Sequence, residues 1–114
     1  MHGSRIADPA AVTRAVALLA GGWRHAGPGD EDFPADRVSA LREAGALAAY
    51  AAIDGEAEVA ALRDALRHVG GADLALGRIF EGHVNAVQLV RAYGDAEQCT
   101  ALAADLAAGR LFGV

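Results

Sequence analysis

Lysine is absent from this chain of 114 residues: all ten basic side chains are arginine. That excludes a lysine Schiff base and a phosphate-binding loop of the Gly-Lys-Ser/Thr type. Cysteine occurs once, as Cys99, so no intrachain disulfide can form and a reducing cytoplasm is the expected setting. Aromatic residues make up only 5% of the chain although 54% of it is hydrophobic. The apolar content is mainly alanine, which predicts a thin-walled helical core. Serine is confined to Ser4 and Ser39, and neither stands in a Gly-x-Ser-x-Gly elbow. There is no Gly-x-Gly-x-x-Gly dinucleotide fingerprint. His2, His25, His68 and His83 pair with no His, Cys or carboxylate at zinc-site spacing, so no metal site is expected. The apolar runs Ala15 to Trp23 and Ala44 to Ile53 are too short to span a bilayer, and Asp8 does not suit a secretory leader. Basic residues are outnumbered by fifteen acidic ones, for a net charge of -5. A nucleic-acid partner is therefore not expected, because phosphate contacts need a basic surface.

What is present reads as one all-α domain of five helices in an orthogonal or up-down bundle. A globule of this length removes roughly two thirds of its extended-chain surface from water, enough for one core. Asp8-Pro9 starts the first helix, with Asp8 as cap, and Gly21-Gly22 ends it. Gly27 to Asp32 forms a polar connector. Phe33-Pro34 restarts the chain into a helix carrying Val38 and Leu41, stopped by Gly45. Asp54 caps the third helix, whose stripe is Val59, Leu62, Leu66 and Val69 before Gly70-Gly71. Asp73 caps the longest helix, Leu74 to Tyr93, which is apolar on more than one face and so is expected among several neighbours. Asp95 and Gln98 form a capping box for the last helix, where Cys99, Leu102 and Leu106 face inward and Gly109 closes. On that apolar stripe Cys99 reads as a core thiol. Leu111 to Val114 reads as the opening of a strand.

The polar residues that stand out lie within the longest helix: Arg78, Glu81, His83 and Asn85. Arg78 and Glu81 are three apart and Glu81 and Asn85 four apart, so each pair shares a face. Gly77 and Gly82 each cost up to about 1 kcal/mol relative to alanine in mid-helix, which suggests close approach by another backbone or a ligand. Two readings follow. One is a helix crossing with an internal Arg78–Glu81 ion pair and His83 hydrogen-bonded in the core. The other is the wall of a ligand pocket, with Arg78, Glu81, Gly82, His83 and Asn85 as substrate-binding residues.

Here the sequence resembles a known family. Phe33-Pro34 followed by Val38 to Leu47 is similar to the "FP…v..LreaGll" passage of the acyl-CoA dehydrogenase superfamily. Asp73 to Ala86 resembles its central helix in one bacterial branch. Tyr93 to Gln98, then Leu102, Leu106 and Ala108 to Gly113, resembles the family's "yGt.eq…yLp.l.sG…g" passage. The resemblance covers residues 33–114 and leaves 1–32 as an N-terminal helix and connector. It implies an N-terminal helical domain that in the complete enzyme is followed by a β-domain and a C-terminal helical domain. Such enzymes bind FAD and remove hydrogens from the α and β carbons of an acyl-CoA; related flavin monooxygenases share the fold. The helix matching Leu74 to Tyr93 helps line the acyl pocket, and Glu81-Gly82 falls at a pocket-lining position.

Two departures accompany the resemblance. Ala48 to Gly55 replaces a longer glycine-rich loop of the family, and no residue matches the catalytic base. Proton abstraction therefore has no positioned acceptor in this chain. The resemblance thus implies part of an FAD-dependent oxidoreductase that contributes pocket wall and no catalytic residue, with FAD not expected to bind this chain alone. Its apolar face would be covered by the β and C-terminal domains or by a second copy. The alternative is a stand-alone, non-catalytic helical interaction or ligand-binding module.

Overall fold

The computed structural model describes residues 8–27 and 33–112, and all regular structure among them is helical. Six helices follow in order: α1 (Pro9–Ala26), α2 (Ala35–Glu43), α3 (Ala46–Ala49), α4 (Glu56–Ala72), α5 (Leu74–Tyr93) and α6 (Ala96–Ala107). The helix beyond the five expected is the one-turn α3. Gly45 stops α2 in the left-handed region, at φ 85°, but its carbonyl then accepts from Ala49 N and starts a fresh turn.

Three of the helix starts, those of α1, α5 and α6, are set by side-chain caps. Asp8 accepts from Ala11 N with Pro9 in the first turn, Asp73 accepts from Leu76 N, and Asp95 and Gln98 bond reciprocally as a capping box. Asp54 does not cap α4. Gly55 is the cap, and the Asp54 carboxylate lies 3.8 Å from Arg91 on the surface.

Two glycine pairs expected to end helices lie inside them. α1 runs through Gly21-Gly22 because its buried face continues to Ala20 and Trp23; Gly27, at φ 90°, is where it stops. α4 runs through Gly70-Gly71 to Ala72, and Asp73 alone joins it to α5. In both cases packing outweighs a local propensity cost of about 1 kcal/mol per glycine. The connector from Pro28 to Asp32 lies outside the described residues. So do Gly113 and Val114; Leu111 and Phe112 are irregular rather than strand.

The core is thin and alanine-rich. Val12 and Val16 of α1, Leu41 of α2, Ala65 and Val69 of α4, and Leu76 and Phe80 of α5 form its main body, with Tyr50 set edge-on to Phe80. The most extensive pairing is α1 with α4, followed by α4 with α5. A smaller cluster of Val87, Leu102 and Leu106 holds α6 against the C-terminal half of α5. α5 therefore spans both clusters and contacts α3, α4 and α6.

Buried polar groups are paired. Thr13 donates its hydroxyl proton to Ala61 O at 2.8 Å, so the Tyr50 hydroxyl donates to Thr13 Oγ at 2.7 Å. Arg37 braces the corner: it bonds Asp73 at 2.8 Å and Gly27 O at 2.9 Å, and stacks over Trp23.

Candidate functional site

The site is built on α5. Its 20 residues follow the capping Asp73 at one end and carry Arg91 in the last turn at the other, both favourable for the helix dipole. Leu76, Phe80, His83, Val84 and Val87 are buried along its inner face. Arg78, Glu81, Gly82 and Asn85 stand at i, i+3, i+4 and i+7, so they share the opposite face. Arg78, Glu81 and Asn85 are exposed there.

Of the five residues expected from sequence, the structure thus brings four together on one outward stripe. It places His83 on the other side. Among the described residues Arg78 and Glu81 form no ion pair, because water solvates both and neither needs one. The two glycines also differ. A Cβ on Gly77 would fall 2.7 Å from Gly70 Cα, so this is the close backbone approach that holds α4 against α5. A Cβ on Gly82 would meet nothing within 4 Å.

The outward stripe continues past Asn85 into Leu89 and Tyr93, which are 51% and 85% exposed. There it becomes the rim of an open groove of about 460 Å³ between α5 and α6, walled by Val90, Leu102 and Phe112. Tyr93, Gln98 and Asp105 are its polar side chains, and Asp105 is already paired with Arg110 at 3.2 Å. The volume is in the range of small-molecule clefts. Cys99 lies half-buried beside it, with its thiol 3.6 Å from Val90 O.

His83 is 1% exposed and both ring nitrogens are engaged. Phe112 N donates to Nδ1 at 2.9 Å, so the proton is on Nε2, which donates to Leu47 O at 2.7 Å. Phe112 also stacks on the ring, with centroids 5.8 Å apart. Burial pushes the imidazole below its ordinary value, and the Leu47 carbonyl pulls in the opposite direction. The ring is a neutral structural pin between α3, α5 and the residues after α6.

No protein-family model, curated protein or solved structure matches this chain. Among the described residues no three metal-ligating side chains gather, and no helix is long and apolar enough to cross a membrane. A flavin dinucleotide needs cationic or N–H donors around its pyrophosphate. The groove lining offers a phenol, an amide and a carboxylate but no cationic side chain, so it does not fit that group. It fits an apolar ligand or an apolar segment.

The groove was not anticipated from sequence. Leu89 and Tyr93 continue the helical face of Arg78 and Asn85, so periodicity carried half of the signal. The other half, Phe112, depends on the fold back from α6.

Proposed function

We propose that this chain is a non-catalytic helical wall of an acyl-substrate pocket, acting as the N-terminal helical domain of an acyl-CoA dehydrogenase-like FAD-dependent oxidoreductase. The observation that carries the reading is the uncovered stripe of α5. It runs from Arg78 through Glu81, Gly82 and Asn85 to Leu89 and Tyr93, polar at one end and apolar at the other. A helix this long inside a single globule ordinarily hides its large apolar side chains; here Leu89 and Tyr93 remain on the surface beside an open groove. The ordered resemblance over residues 33–114 supports the same reading. In it, the groove takes the apolar part of an acyl thioester and the polar stripe meets a further domain. His83 contributes by fixing the wall rather than by touching substrate. FAD and the catalytic base come from the other domains, so this chain's residues bind, orient and exclude water.

A second reading is favoured by the groove itself, which is lined by α5, α6 and Phe112 of this chain alone. It makes the chain a free-standing module for an apolar ligand or partner. Coding DNA beyond the codon for Val114, assayed together with the protein, separates the two. A downstream flavin-binding β-domain and C-terminal helical domain, with octanoyl-CoA oxidation only in the joined polypeptide, is the expected result. Their absence, or turnover by the isolated chain with FAD and an electron-accepting dye, overturns the first reading.

A further inference from the structure

His83 and Phe112 make a contact that exists in only one protonation state. Both ring nitrogens are committed with a single proton between them: Nε2–H to Leu47 O and Nδ1 to Phe112 N–H. A second proton has only Nδ1 to occupy, where it faces the Phe112 N–H. Two donors then oppose each other and the bond is lost.

The two sides of the contact differ in how they can respond. Leu47 is buried in α3, and α5 is held by α3, α4 and α6. The opposite side is the irregular segment from Arg110 to Phe112. Apart from His83, it is anchored by Arg110 to Asp105 through side chain and backbone, by Arg42 Nε to the neighbouring Gly109 O, and by the partly buried packing of Leu111 on the main core and of Phe112 on the α5–α6 cluster. Leu111 and Phe112 are only half-buried.

The geometry points to a proton-operated latch: protonation of His83 Nδ1 releases the segment from Arg110 to Phe112 and removes Phe112 from the wall of the α5–α6 groove.

The surrounding charges do not compensate for the added proton. α3 carries no ionisable side chain, and on α5 Arg78 and Glu81 face outward. α4 carries Glu56, Glu58, Arg63, Asp64, Arg67 and His68, and α6 carries Glu97, Cys99 and Asp105; none bonds to the imidazole. Arg110 is paired with Asp105, and Arg42 of α2 holds Gly109 O. Burial keeps the ring neutral at neutral pH, so the latch opens on the acid side of the ordinary histidine value of about 6.5. The latch does not depend on what occupies the groove.

Backbone and imidazole NMR across an acid titration of the full chain tests it. The expected result is a single midpoint, below the ordinary histidine value, shared by the His83 ring signals and by loss of the rigid-backbone heteronuclear NOE at Leu111 and Phe112. The amides of α1 and α4 hold through that midpoint. Phe112→Pro removes the N–H without touching a helix. It should raise the His83 midpoint towards the ordinary value and leave Leu111 mobile at every pH. A segment that stays rigid while His83 titrates, two separate midpoints, or an unmoved midpoint in Phe112→Pro would each overturn the latch.

Discussion

Gly77 and Gly82 lie on the same helix, and they answer alanine in opposite ways. At Gly77 a methyl group would strike the Gly70 backbone, which cannot swing aside as a side-chain tip can. Gly77→Ala should destabilise the fold by about 1–3 kcal/mol, as overpacking does. At Gly82 the space is open, so Gly82→Ala should gain up to about 1 kcal/mol of helix propensity. Urea denaturation of both variants measures the difference, and an equal loss at both positions would contradict the α4–α5 crossing. His83 sets the acid flank at this same scale. Its native pKa lies below the unfolded value, so the unfolded chain binds the extra proton first. Stability should be full above the unfolded value of about 6.5 and fall as pH drops from there towards the lowered native value. Tyr50 sets the alkaline flank, because burial raises its hydroxyl, against the opposing Thr13 bond. Stability from this group should be present below about 10 and decline as pH rises through the raised native value. Denaturation midpoints across pH check both flanks. His83→Leu should remove the His83 share of the acid slope and leave the alkaline flank.

α6 is lightly held. Its small apolar cluster with Val87 is supplemented by the Asp95–Gln98 capping box. Asp95→Ala should therefore cost about 1 kcal/mol, read as faster amide exchange across α6 with little change in α1 or α4. Uniform acceleration along the chain would show that α6 is not a separate unit. Caps of this type were legible in the sequence because Asp8, Asp73 and Asp95 act on backbone within three residues. The glycine pairs were not. Gly21-Gly22 and Gly70-Gly71 carry the same local signal as a stop, yet Ala20, Trp23 and Val69 bury the surrounding face and keep the helix going. Long-range packing decides there, and it leaves no mark at the glycines themselves. Asp54 failed as a cap for a related reason: Gly55 takes that position.

For the molecule as a whole, the helical class followed from composition and periodicity, whereas the candidate site was only half visible. Arg78, Glu81, Gly82 and Asn85 do share a face, as their spacing requires. His83 belongs to the opposite face, since two positions along a helix is about half a turn, and its partners Leu47 and Phe112 are far away in sequence. The groove at the apolar end of the stripe depends equally on that return of the chain. In the function proposed, this outward face of α5 and the adjoining groove form the working surface. Titrating the protein with octanoyl-CoA while following every backbone amide by NMR tests it most directly. Saturable shifts are expected to concentrate at Leu89, Val90, Tyr93, Leu102 and Phe112, with weaker ones along Arg78 to Asn85 and none in α1. Shifts centred on α1 and α2, or no shift at saturating ligand, would contradict it.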